Sequence, residues 1–126
     1  MADQTERYDV LIAGQGAAAF SAALYAARYQ MRTIIVGGIF GGETATGGII
    51  ENYPGSPEID GFDLLLNFRE QVDTYEVPVI EENVHSTERS EHELTVSTDG
   101  GQPFPATTAT TAHRCQCRAP GVGRPE

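Results

Sequence analysis

The sequence predicts an α/β fold that opens with a parallel βαβ unit and continues into a β-meander. Three observations carry that expectation. An apolar run from Tyr8 to Ala13 meets Gly14, and an Ala-rich stretch free of Gly and Pro follows from Ala17 to Tyr29. A β-branched run, Thr33-Ile34-Ile35-Val36, comes directly after. From Val84 the chain changes to short segments of strand character, with a strong turn at Asp99-Gly100-Gly101.

Each element has its own local reason. Residues 8–13 are short and apolar, as a buried parallel strand should be. Residues 17–29 have helical length and composition, and Ala18, Ala19, Ala22, Ala23 and Ala26 offer a small face for close packing on a sheet. Residues 37–57 hold seven of the fourteen glycines together with Pro54 and Pro57. So long a glycine-rich connection inside a compact domain is usually functional. Asp60 is placed to cap a helix from about Gly61 to Tyr75, with Phe62, Leu65, Leu66 and Phe68 on its apolar side. Val77-Pro78-Val79-Ile80 reads as a short strand near an edge, because proline cannot donate to a ladder. Strands are expected near 84–89, 93–98 and 102–107, the last two joined by the Asp99-Gly100-Gly101 hairpin. This meander is expected to lie as a flap on the βαβ layer.

Composition bounds the function. The chain has 126 residues, enough for one core. It carries 18 acidic residues against 8 arginines and no lysine, for a net charge of −10. That balance repels phosphate backbones and argues against nucleic acid as a partner. The N-terminus is polar and acidic, unlike a signal peptide, and the apolar runs are too short to span a bilayer. No membrane association is expected, and the cytoplasm is the expected location. Cys115 and Cys117 are the only cysteines, and their spacing matches neither a zinc knuckle nor a redox pair. They read as incidental thiols. His85, His92 and His113 share no ligand spacing, and Glu81-Glu82 with Glu88, Glu91 and Glu93 read as a solvated face. No metal site and no catalytic residue are expected.

The segment that carries chemistry is Gly14-Gln15-Gly16-Ala17-Ala18-Ala19, a Gly-x-Gly-x-x-Ala between a strand and a helix. Gly14 permits the tight turn, Gly16 lets a pyrophosphate approach the backbone, and Ala19 is small enough for helix–strand packing. The helix start adds unpaired N–H groups and the positive end of its dipole. In this context the pattern reads as a dinucleotide site. Sites for NAD usually carry an Asp or Glu at the end of the second strand to hold the adenosine ribose. Here that strand ends Val36-Gly37-Gly38, and Glu43 is the next acid. A standard NAD-dehydrogenase reading therefore loses ground to FAD.

Residues Tyr8 to Ala27, Gly41-Gly42 and Glu51-Asn52-Tyr53-Pro54-Gly55 together resemble the opening of the thioredoxin reductase family, the small FAD-dependent pyridine nucleotide–disulfide oxidoreductases. The Ala22-Ala23-Leu24-Tyr25-Ala26-Ala27-Arg28 helix, the Gly61-Phe62-Asp63-Leu64-Leu65 helix and the Asp99-Gly100 hairpin also fall where that family has them. The resemblance covers about residues 7 to 107. It implies a Rossmann-like FAD/NAD(P)-binding fold, present here as an incomplete domain. For the FAD pyrophosphate it implies contacts at Gly14, Gly16, Ala17 and Ala18, with Ala19 completing the turn. It places Gly37, Gly38, Gly41, Gly42 and Glu43 around the ribose and flavin, Asn52 near the isoalloxazine ring, and the Val84 backbone at the adenine. Glu43 stands where the family usually has Gln, Ala17 where it has Pro, and Ala19 where it has Gly.

In complete relatives the resemblance implies electron flow from NADPH through FAD to a cysteine pair that serves thioredoxin or a similar small disulfide protein, usually in a homodimer. The family's NADPH domain and its Cys-x-x-Cys do not occur in this chain. After Thr107 the apolar pattern, the acidic bias and the family match fail together. Three of the eight arginines fall after residue 113, where Glu126 is the only acid. Residues 1–107 are accordingly expected to form the N-terminal part of the domain. Residues 108–126 are expected to be an irregular tail, out of frame with the family, and the strand near residue 110 is expected to be missing. The chain alone is expected to be inactive. The alternative is a non-catalytic or vestigial dinucleotide-binding module. A flavin monooxygenase sharing only the βαβ unit is disfavoured by Glu51-Asn52-Tyr53-Pro54-Gly55.

Overall fold

β1 (Tyr8–Ala13), α1 (Ala17–Arg28) and β2 (Thr33–Val36) form the expected βαβ unit in a computed structural model that describes residues 7–112. β1 and β2 pair in parallel, Val10 opposite Thr33 through Ala13 opposite Val36. α1 ends because Gln30 turns left-handed at φ 65°, with the Gln30 N–H donating to Ala27 O (2.9 Å) and the Met31 N–H to Ala26 O (3.1 Å). These paired bonds satisfy the last helical carbonyls and aim the chain back into β2.

The glycine-rich connection is ordered by small elements. A short helix, α2 (Gly42–Ala45), is followed by the two-residue strands β3 (Ile49–Ile50) and β4 (Ile59–Asp60), which pair antiparallel. α3 (Gly61–Asp73) then starts where expected, with Asp60 Oδ2 accepting from the Phe62 N–H at 3.0 Å. Its buried face differs from the sequence expectation. Leu64, Leu65 and Val72 are buried with Gly61, while Phe62 is 45% and Leu66 37% exposed. A 3.6-residue period puts 61, 64, 65, 68 and 72 on one side, so an apolar triplet cannot all face inward.

β5 (Val79–Ile80) pairs in parallel with β2 and forms one edge of the sheet, consistent with the proline before it. β6 (Val84–Arg89), β7 (Leu94–Thr98) and β8 (Pro103–Thr111) form the meander. All six belong to one sheet, in the order β5-β2-β1-β8-β7-β6. β8 has two partners. Residues 103–106 pair antiparallel with β7, and residues 106–111 pair in parallel with β1. Ala106 lies opposite both Tyr8 and Leu94.

β8 thus runs through Thr111, past the boundary expected at residue 107, and the expected gap near residue 110 is filled. Thr108, Thr110 and Thr111 need no large apolar side chain, because the ladder to β1 holds the backbone and β-branched Thr suits a pleated strand. Ala109 and Ala112 supply the small inward contacts, and the Ala112 N–H donates to Ala13 O at 2.8 Å. The expectations for His113, Cys115, Cys117 and the rest of the tail lie outside the described residues.

The core has two halves, one on each face of the sheet. Val10, Ile12 and Ile35 pack with Ala19, Phe20 and Ala23 of α1 and Leu64, Leu65 and Val72 of α3. Leu11, Ile34 and Val36 are covered by Val96, Phe104 and Ala106 of the meander. The meander therefore both extends the sheet and folds over its second face. Ala18 and Ala22 are not buried with Ala19, Ala23 and Ala26; Ala18 is exposed. Among the described residues no helix is long and apolar enough to cross a membrane.

Candidate dinucleotide site

The turn after β1 is built almost wholly from backbone. Gly14 takes φ 129°, a region that favours glycine, and its N–H donates to Val36 O at 2.7 Å. Gln15 is 3% exposed, and its Nε2 donates to Gly37 O at 2.8 Å, while its backbone O accepts from the Gly41 N–H at 2.8 Å. Gln15 Oε1 is a buried side-chain acceptor with no hydrogen-bond partner among the described residues. The turn is thereby tied to the ends of β2 and the glycine loop before any ligand arrives.

Gly16 is the N-cap of α1 and provides no side-chain cap. The first-turn amides of α1 therefore have no capping oxygen, and the positive end of the helix dipole lies there. A Cβ built on Gly16 would meet nothing within 4 Å, so the space above it is open. Gly42 faces this opening, since a Cβ on it would lie 3.6 Å from Gly16 Cα. Backbone amides, a bare Cα and a helix N-terminus converge where a diphosphate could sit.

The glycines implied by resemblance divide into two kinds. Gly16 and Gly42 border the opening. Gly37 and Gly41 are buried, and they shape it from behind. A Cβ on Gly37 would stand 2.7 Å from Gly14 C and 3.0 Å from Gln15 N. Gly41, at φ 91°, is pressed against Ala45, and Gly38 against the Asn83 side chain. Glu43 lies exposed in the first turn of α2, where a negative charge is favoured by the helix dipole.

Beside the opening lies a cleft of about 370 Å³. α1 lines it with Ala17, Ala18 and Ser21, and α2 with Thr44. Ile50, Asn52 and Tyr53 form a second wall, and Leu64 and Phe68 of α3 a third. Ala17, Ala18 and Asn52, which the resemblance assigns to the pyrophosphate and the ring, thus line one cleft. The Tyr53 and Phe68 rings pack at 5.6 Å between centroids, with their planes 54° apart. No carboxylate, histidine or arginine is among the residues lining the cleft. Such a neutral wall, with one amide and three hydroxyls, can hold and orient a flat heteroaromatic group but offers no acid or base to a reacting centre.

Val84 lies elsewhere. It begins β6, packs half-buried on the second core half, and adjoins Asn83, which touches Gly38. It is not among the residues that line the cleft. Ala19 is fully buried and serves packing alone. Sequence reasoning missed Ser21, Thr44, Ile50 and Phe68, because they reach the cleft from separate elements with no shared motif. It also missed the buried Gln15 amide, for which a polar residue locked between two glycines was the available signal.

A second hollow of about 360 Å³ opens beside Gln30, Met31, Thr33, Tyr75 and Pro78, near the start of β2. Ligands of open α/β sheets bind outside the carboxyl ends of the strands, so this hollow is not the dinucleotide site. Among the described residues no group of three or more His, Cys, Asp and Glu could hold a metal ion.

Known proteins share this sequence and fold. The chain is 34% identical over 96 residues to NADPH-dependent thioredoxin reductase 3 of Arabidopsis thaliana, covering 71% of this chain and 18% of that protein. It is 33% identical over 96 residues to thioredoxin reductase of Treponema pallidum, covering 75% of this chain and 31% of that protein. The crystal structure of thioredoxin reductase from Streptococcus pyogenes superposes with a TM-score of 0.83 at 34% identity, covering 92% of this chain and 38% of the other. This chain carries the N-terminal segment of the thioredoxin reductase family. No family model matches it. It spans between 18% and 38% of the length of these three relatives. Against the thioredoxin reductase pattern, Ala17 and Ala19 are readily accommodated. Ala17 faces the cleft where a Pro is usual, and Ala19 fills the packing position of a Gly.

Proposed function

We propose that this chain binds FAD, with the diphosphate on the Gly14–Ala19 turn and the flavin over the cleft lined by Asn52 and Tyr53. The observation that carries the reading is the bare Gly16 at an uncapped helix N-terminus, opening beside a neutral cleft. The residues fit the group: two phosphates suit the backbone amides, and a neutral tricyclic ring suits the Tyr53–Phe68 wall. Bound FAD supplies the hydride chemistry, and the protein supplies binding and orientation. Gln15 stiffens the turn, Gly42 keeps its mouth clear, and the Asn52 amide, which lines the cleft, would hydrogen-bond a ring edge.

In the longer relatives this unit would serve transfer of electrons from NADPH to a thioredoxin-type disulfide, a cytoplasmic task. Residues 7–112 by themselves make a binding module, since the cleft offers no acid, base or thiol to a reacting centre. Cys115 and Cys117 lack the spacing of a redox pair. The cleft is also open, whereas pockets usually bury roughly 70–90% of a ligand of this kind. FAD should therefore bind weakly, with a Kd of roughly 10–500 μM.

Titration of the purified chain with FAD and FMN, followed by flavin fluorescence and calorimetry, tests this. FAD is expected to bind at least about tenfold more tightly than FMN, because FMN lacks the diphosphate link and adenosine. NADPH oxidation with a disulfide acceptor should stay at background. Equal affinity for FAD and FMN, or no binding of FAD, would overturn the assignment.

A further inference from the structure

We propose that Asn83 reads the adenosine ribose, its side-chain oxygen accepting a hydrogen bond from the 2′-hydroxyl. This inference rests on the FAD reading above and names the residue that stands in for a missing carboxylate. In a nicotinamide dinucleotide site, an acid at the end of the second strand holds that hydroxyl. Here β2 ends at Val36 and is followed by Gly37 and Gly38, so the strand provides no acceptor side chain.

The structure fills the place from the loop between β5 and β6, just before Val84. A Cβ on Gly38 would run into Asn83 Oδ1 and would lie 2.7 Å from its Cγ and 2.9 Å from its Nδ2. The carboxamide thus occupies the position where a side chain on residue 38 would begin. The backbone that carries it is anchored on both sides. The Asp99 N–H donates to Asn83 O at 2.9 Å, and Val84 packs half-buried on the second core half. The Gly37 N–H donates to Ile80 O at 3.0 Å, which ties this loop to β2. Asn83 is nevertheless exposed, so its amide can reach a ligand. A neutral acceptor also suits a chain of net charge −10, because it adds no repulsion toward the diphosphate. Gly38 follows from the same arrangement, since any side chain there would displace Asn83.

The test uses calorimetric titration of the full chain with ADP and with 2′-deoxy-ADP. The wild type should prefer ADP by about threefold to tenfold, the usual worth of one hydrogen bond. Asn83→Ala should bind both nucleotides equally, at the wild-type affinity for 2′-deoxy-ADP. Asn83→Asp, which retains an acceptor, should keep the preference for ADP. The proposal is overturned if Asn83→Ala keeps the wild-type preference, or if it weakens both nucleotides alike, which would indicate a merely structural role. A wild-type chain that binds no ADP would overturn the FAD reading itself, so the two failures are distinct.

Discussion

Replacing Gly16 with Ala separates stability from binding at the proposed site. Gly16 has φ −95°, a backbone that any residue adopts, and a methyl there would meet no protein atom within 4 Å. The folded chain should therefore tolerate the substitution, losing only about 0.5–1 kcal/mol because Ala is a poorer N-cap than Gly. The same methyl would stand in the mouth of the turn, between a phosphate and the backbone amides. Losing one charge-assisted hydrogen bond is worth about 1.5–3 kcal/mol, so affinity for FAD or ADP should fall about 10- to 100-fold. Gly37→Ala should behave in the opposite sense. Its methyl would press on Gly14 and Gln15 backbone at 2.7 and 3.0 Å, an overpacking that destabilises by about 1–3 kcal/mol. Urea denaturation gives the stabilities, and calorimetry with ADP gives the affinities. If Gly16→Ala folds normally and binds ADP as the wild type does, the diphosphate does not sit on this turn.

Three further outcomes are expected. Leu65→Ala, which empties a fully buried position between α3 and the sheet, should destabilise by about 2–5 kcal/mol in urea melts. Gln30→Gly should stabilise by about 0.5–1 kcal/mol, because Gln30 holds φ 65° at the end of α1; a rise in midpoint temperature would show it. Raising sodium chloride from low to molar concentration should raise the melting temperature, since a net charge of −10 repels itself and salt screens it. A salt-independent melt would mean that the charges are already balanced locally.

Much of the βαβ unit was legible because its signals are local. A strand, two glycines and an Ala-rich helix in sequence determine the turn, and Asp60 declares the start of α3 on its own. The hairpin at Asp99-Gly100-Gly101 is equally local. The rest depends on partners distant in sequence. Thr108 to Thr111 have no apolar signature, and they become a strand only because β1 offers them a ladder. Phe62 and Leu66 look as apolar as Leu65, and only the position of the sheet decides which of them faces inward. The cleft draws Ser21, Thr44, Ile50 and Phe68 from four stretches of chain, a convergence that no window of sequence displays. The role of Gly38 is legible only with Asn83 beside it.

The double pairing of β8 bears on how the chain acquires its fold. β1 lies between β2 and β8, so its second ladder cannot form until a segment about a hundred residues later in the chain arrives. The hairpin of β6 and β7 can form early, but it joins the rest of the sheet only through β8. Folding should therefore be limited by one long loop closure, slow by the standards of domains of this size. During synthesis the nascent βαβ unit waits with one side of β1 unpaired. That interval, rather than the finished structure, is when the chain is most open to pairing with a neighbour.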